Sequence, residues 1–215
     1  MKQTSVVDDV TRAAVELFAS QGYANTSVQQ VVEAAGVTKG AMYHYFESKD
    51  DLLFGIYERL LSLQTERLTS IVARGEPTAE TLRAVCVDVI ETSVDHLLEG
   101  TVFFRSAHML SAPRQQEVTR RRRAYHDTFA GLVERGQAEG LYRTDIPVAV
   151  LVAHFFSDVH YLSHWYKPEG PEDKTVLAHQ LTDLFLVSIA ASSASAHPLA
   201  STLAAPAGAP APAEG

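Results

Sequence analysis

The chain has one cysteine, Cys86, one tryptophan, Trp165, and a deficit rather than an excess of cations. A single cysteine excludes an internal disulfide and suits a reducing cytoplasm. Set among Val85, Val87 and Val89, it reads as a small core residue. No apolar run approaches the roughly 18 residues of a membrane span, so no membrane partner is expected. The opening "MKQTSVVDDV" lacks an apolar core, and no secretory leader is expected from it. There is no internal repeat, no glycine-rich phosphate loop and no nucleophile, base and carboxylate set, so an enzyme is not expected. No cofactor is indicated either. The net charge of −8 argues against nucleic acid unless cations gather on one face.

What remains is helical periodicity in an ordinary globular composition, 46% hydrophobic and 20% charged over 215 residues. The pattern predicts an all-α chain of about nine helices. The first spans about Ser5 to Gln21 and stops at Gly22. The second begins at Thr26 or Ser27, each followed three residues later by a glutamine able to close a capping box. The third opens at Thr38 and reaches Tyr45 or Phe46. Ser48 caps a long fourth helix toward Arg74, ended by Gly75 and Pro77. Thr78 caps a fifth running to about Gly100, and "TVFFRSAHML" gives a short sixth ending at Pro113. The seventh covers about Arg114 to Glu139. Pro147 starts the eighth, where "VAVLV" has strand propensity but the period continues as 3.6. The ninth runs from about Glu172 to Ala191. From Ser192 the composition turns to alanine, proline and serine, which predicts a disordered tail over 193–215.

The stretch "GVTKGAMYHYFESKDDL", Gly36 to Leu52, places two tyrosines, a histidine and a phenylalanine in consecutive positions. A buried helix disfavours adjacent polar-tipped rings, and a solvated one disfavours that much ring surface. A short helix, a glycine turn and another short helix describe a helix-turn-helix, whose second member enters the DNA major groove. On that reading Thr38 caps the recognition helix beside phosphate, Lys39 supplies a cation, and Gly40 and Ala41 permit close approach. Tyr43, His44 and Tyr45 donate to phosphate oxygens, which position without specifying sequence. Phe46 locks the helix inward, and Lys49 adds a cation at the next helix. From Met1 to Lys49 the cations Lys2, Arg12, Lys39 and Lys49 face Asp8, Asp9, Glu16, Glu33 and Glu47. Few phosphate contacts and a shallow salt dependence follow, with a log–log slope no steeper than about −8.

The words "LFASQGY", "TSV", "AAGVTKG", "YHYF" and "SKDDL" at these spacings resemble the TetR family of bacterial transcriptional regulators, over Val6 to about Leu60. The resemblance implies a DNA-binding head over 1–48 and a ligand-binding and dimerisation body over 49–192. It places DNA contacts on Gln29, Thr38, Lys39, Gly40, Ala41, Tyr43, His44, Tyr45 and Lys49, with Thr26 and Ser27 at the mouth of the second helix. Tyr45 departs from the histidine that many members carry there. The implied function is a homodimeric, ligand-responsive repressor on a palindromic operator.

Four features of the body bear on its ligand. The eighth and ninth helices offer Leu151, Phe155, Val159, Leu162, Leu181, Leu184 and Phe185 as a dimer stripe. Four consecutive arginines, Arg120 to Arg123, must turn Arg121 or Arg122 inward. That guanidinium needs an anion, either Asp88, Glu91 or Asp95 of the fifth helix or a ligand group. The segment "HWYKPEG" resembles a signature of family members that regulate fatty-acid and acyl-CoA catabolism. With Phe103, Phe104, Met109, Tyr125, Phe129 and Trp165 as lining, it suggests an apolar ligand with an anionic handle. An acyl-CoA thioester or an aromatic or steroid-derived acid meets that description. Finally, His160 and His164 lie one turn apart, with His154, Asp158, His96 and His108 as further donors. A metal-sensing regulator or metal-dependent enzyme is the alternative they raise.

Overall fold

The computed structural model describes residues 5–191. The tail expected over 193–215 lies outside them. Among the described residues there are nine α-helices and no strand. Three short helices form the head: α1 (Val6–Gln21), α2 (Val28–Ala35) and α3 (Lys39–Tyr43). Local chemistry sets their limits. Ser5 accepts from the Asp8 amide to start α1, and Gly22 leaves it at φ 86°. Ser27, not Thr26, caps α2 through a reciprocal box with Gln30. Gly36 at φ 67° turns the chain out of α2, a left-handed conformation that side chains resist. Thr38 then accepts from the Ala41 amide. Helix α3 closes at Tyr43, earlier than its sequence pattern suggests, and passes through a turn to Phe46. Val10, Ala14, Phe18, Val31, Met42 and Phe46 close a common core beneath the three helices.

The body comprises α4 (Lys49–Val72), α5 (Thr78–Asp95), α6 (Leu97–Ser106), α7 (Ala112–Ala138), α8 (Val148–Trp165) and α9 (Lys174–Ile189). Ser48 caps α4 with Asp50 and Asp51 in its first turn, where the dipole favours acids. The fifth helix does not reach Gly100. It breaks at His96, whose Nδ1 lies 3.2 Å from Glu99, and α6 departs from there. Pro77 rather than Thr78 precedes α5, and the Thr78 hydroxyl donates to Glu139 instead. Helix α7 starts two residues before Arg114, with Pro113 in its first turn. Asp173 accepts from the Thr175 and Val176 amides, so α9 begins at Lys174. The "VAVLV" run is helical.

Helix α5 runs through the middle of the body, in contact with α4, α7, α8 and α9. Cys86 is fully buried on it, and burial pushes its thiol up. Head and body are joined by the continuous α4 and by a polar link to the start of α7. The Ser111 amide and hydroxyl donate to Asp50 at 3.0 Å, and Arg114 pairs with Asp51 and, at 3.2 Å, with Asp50. Any displacement of the first turn of α7 therefore acts on the first turn of α4.

Candidate DNA-reading face and effector cavity

Helix α3 turns one face inward through Met42, with Phe46 sealing the turn behind it. The period of the helix then forces its neighbours out. Thr38, Lys39, Gly40, Tyr43, His44 and Tyr45 are exposed, the two tyrosines by 49% and 52%, and Ala41 is half-buried. Lys39 has no acidic partner among the described residues. The His44 and Tyr45 rings meet edge to face at 4.8 Å. Ser27 and Gln29 are exposed on α2, with the Gln29 amide bonded to Glu33. A row of phenols, an imidazole and one ammonium around a glycine and an alanine is chemically suited to phosphate and groove edges.

Two expected contacts sit elsewhere. Thr26 is 2% exposed, and its hydroxyl donates to the Gly22 carbonyl at 2.9 Å while accepting from Gln21. Lys49 turns inward, donating to the carbonyls of Tyr23 and Thr26 at 2.7 and 2.8 Å, 4.2 Å above the Tyr23 ring. Burial holds its pKa below the ordinary lysine value. Thr26 closes the α1–α2 turn on the end of α1, and Lys49 ties that turn to α4, because the turn leaves carbonyls that no helix partner satisfies.

In the body, a cavity of about 80 Å³ lies among α4, α5, α6, α7 and α8. Tyr57, Phe103, Phe104, Tyr125, Phe156 and Val159 make it apolar. Arg122 stands over the Phe103 and Phe104 rings at 5.5 and 5.8 Å. No carboxylate lines the cavity among the described residues, and no acid pairs with Arg122 there. The other polar lining groups are uncharged at neutral pH except where His96 meets Glu99. Burial, then Arg122, lowers the His126 pKa, and burial, Arg122 and His126 together push His160 down to about 4. Arg122, His126 and Phe103 also border an open groove of about 730 Å³ that carries His108, Gln115, Thr119 and Arg123.

Of the expected lining residues, Phe103, Phe104, Arg122 and Tyr125 meet at this cavity, and four do not. Phe129 is fully buried behind it, stacked on Phe155 at 4.9 Å. Met109 lies exposed in the turn after α6, and Trp165 is 47% exposed at the end of α8. Arg121 is held by Glu117 and Glu58 at 2.6 and 2.8 Å. Its partners thus come from α4 and its own helix. Asp88, Glu91 and Asp95 are engaged by Arg67, Thr175 and Lys174 instead. Sequence reading missed Tyr57, His126, Phe156 and His160 as lining. The signal for His126 was its place four residues beyond Arg122, on the same helical face.

The dimer stripe is corrected as well. Leu151, Phe155, Val159, Leu162 and Phe185 are buried in the chain's own core, and Leu181 is half-buried. Of the expected seven, Leu184 alone is exposed, at 69%. Both faces of these helices are apolar, and periodicity does not tell which face meets the chain's own core. The outward apolar residues are Val150, Tyr161 and Trp165 on α8, and Val176, Leu184 and Val187 on α9. The histidines do not converge: His160 packs on Phe104 at 4.3 Å, and His164 stacks on Tyr161 at 4.5 Å. No group of three metal-ligating side chains occurs among the described residues.

A helix-turn-helix head on a helical body with an internal cavity is the architecture of a DNA-binding regulator. The chain belongs to the TetR family. Residues 10–56 match the family model for bacterial regulatory proteins of the tetR family, and residues 75–189 match that for the tetracyclin repressor-like C-terminal domain. It is accordingly a transcriptional regulator and not an enzyme. The transcriptional repressor KstR2 of Rhodococcus jostii is 27% identical over 180 residues, 82% of this chain and 87% of that one. The solved ketosteroid transcriptional regulator KstR2 of Mycobacterium tuberculosis superposes with a TM-score of 0.80 at 23% identity, over 88% of this chain and 97% of that one. A structure of AibR with isovaleryl coenzyme A and operator DNA superposes with a TM-score of 0.73 at 23% identity, over 86% and 98%. At those identities the superpositions speak for the fold. No described helix is long and apolar enough to cross a membrane.

Proposed function

We propose that the chain is a homodimeric, effector-responsive repressor that acts in the cytoplasm, with a DNA-binding head over residues 1–48 and a sensing body over 49–192. Two copies join through the outward stripes of α8 and α9. They present two α3 helices to successive major grooves, about 34 Å apart on a palindromic operator. Lys39, Gly40, Tyr43, His44 and Tyr45 make the contacts, with Gln29, Ser27, Thr38 and Ala41 beside them.

The effector is an apolar molecule with an anionic group, and an acyl-CoA thioester or a related acid fits. The observation that carries this is Arg122: a cation without an acidic partner among the described residues, in a cavity lined by no carboxylate, at the border with an open polar groove that holds Arg123 as well as Asp127 and Glu134. A guanidinium so placed attracts a negative group while the rings receive the apolar part. The complex of AibR with isovaleryl coenzyme A, an acyl thioester with anionic phosphates, is consistent with this class.

A ligand releases DNA only if it binds one state better than the other. A cavity of about 80 Å³ must widen to take a long acyl chain, and α7, which carries Arg122 and Tyr125 on its wall, is among the helices that move. The Ser111 and Arg114 bonds to Asp50 and Asp51 pass that motion to α4 and the head. The test is operator DNA selected by the protein from random sequence, with binding followed by anisotropy across acyl-CoA thioesters and the matching free acids. Release by thioesters supports the reading. Release by free acids alone removes the thioester, and release by neither removes the effector class.

A further inference from the structure

Tyr57 lies in the middle of α4, on its buried face. It is 6% exposed and lines the cavity, its ring stacked on Phe103 at 4.0 Å. Its hydroxyl is shielded from solvent and has no hydrogen-bond partner among the described residues. Buried hydroxyls are almost always paired, because an unpaired one forfeits its hydration without return. A phenylalanine would fill the same space and stack on Phe103 without that penalty, so packing does not explain the oxygen. Packing does hold the ring in place, and burial raises the phenol pKa far above its usual value, which keeps the group a neutral donor.

The neighbours narrow what it donates to. Arg122 and Arg121 are close enough for their charge to act on the phenol, and both oppose the upward shift. The Arg122 guanidinium sits over the same Phe103 ring that Tyr57 stacks against. A phenolic donor and a guanidinium, both packed against the Phe103 ring, each seek an oxygen acceptor. The rest of the lining offers them none of negative charge.

We propose that Tyr57 is a specificity-determining residue of the effector site: its hydroxyl donates a hydrogen bond to an acceptor oxygen on the buried end of the effector, beside Arg122. The effector class narrows accordingly, from any anionic apolar molecule to one with a carbonyl or carboxylate oxygen near its apolar end. Plain alkyl groups are disfavoured, because they leave the phenol unpaired. The proposal rests on the reading of this cavity as the effector site.

The probes are butanoyl, octanoyl and dodecanoyl coenzyme A, each beside the S-alkyl coenzyme A thioether of equal chain length, which lacks only the carbonyl oxygen. The corresponding free carboxylates form a third arm, to separate a thioester carbonyl from a carboxylate as the acceptor. Binding to the intact dimer is measured by calorimetry for wild type and Tyr57→Phe, with the thermal midpoint recorded for each. The expected result has two parts. Wild type binds at least one oxygen-bearing probe about tenfold more tightly than its thioether, and Tyr57→Phe removes that preference with no fall in thermal midpoint. Equal binding of each pair by wild type overturns the role of Tyr57 and leaves the effector class standing. So does a preference that survives in Tyr57→Phe. If no thioester and no carboxylate binds, the effector class fails and this role with it.

Discussion

Replacing Lys49 by methionine separates two roles that its position in the sequence confuses. The stem length is nearly kept, so apolar packing along the chain is preserved. What disappears is an ammonium shared by the Tyr23 and Thr26 carbonyls at 2.7 and 2.8 Å, and a cation 4.2 Å above the Tyr23 ring. A hydrogen bond from a charged donor contributes about 1.5–3 kcal/mol when well shielded, and a cation over an aromatic face about 0.5–1 kcal/mol. Two facts reduce the sum. Lys49 is only half-buried, and the Tyr23 carbonyl keeps the Thr26 amide at 3.2 Å. A loss of about 2 kcal/mol remains, or roughly 4–8 °C in thermal midpoint for a chain of this size. DNA binding responds differently. A lysine on phosphate contributes about 0.9 to the slope of log K against log salt, and Lys49 spends its charge inside the head. Lys49→Met therefore lowers the midpoint and leaves the salt slope unchanged at temperatures where the head is folded. A slope reduced by about 1 for each head, with an unchanged midpoint, would refute the inward role of Lys49.

Three further outcomes follow from the packing. Gly136→Ala puts a methyl carbon 2.1 Å from two ring carbons of Tyr142, so the ring must move; calorimetry should show a loss of about 1–3 kcal/mol, and an unchanged midpoint contradicts the contact. Leu184→Glu places a charge on the outward stripe of α9, and sedimentation should show monomers with unaltered helicity, whereas an intact dimer moves the interface elsewhere. His160 is held down to about 4, so below its ordinary 6.5 the unfolded chain takes up a proton that the folded site refuses. Stability is then full above pH 6.5 and falls toward pH 4 by about 1 kcal/mol per unit; His160→Asn should flatten that limb of the urea-denaturation profile, and an unchanged slope counts against the buried neutral ring.

The head was largely legible in the sequence because its determinants are local. Ser5, Ser27, Thr38 and Ser48 cap by reaching amides three residues away, and Gly22 and Gly36 adopt the positive φ that ends α1 and α2. A helical period then places Met42 inward and Tyr43 outward without reference to the rest of the molecule. The break at His96 was not legible, since no proline or glycine marks it and the ring's contact with Glu99 forms only in the folded chain.

Distance along the chain defeats the same logic elsewhere. Lys49 reaches carbonyls more than twenty residues away, so its type and its place at a helix start suggested phosphate while the fold turned it inward. In the arginine run the sequence established that one guanidinium must face the interior; Glu58 of another helix took Arg121, and Arg122 was left over the aromatic cavity. Periodicity identified α8 and α9 as apolar, but which stripe meets α7 and which faces outward depends on how whole helices dock. Hydrogen bonds within one helical turn are decided by neighbours in sequence, whereas partners for long side chains and buried faces are decided by competition among all the surfaces that folding brings together.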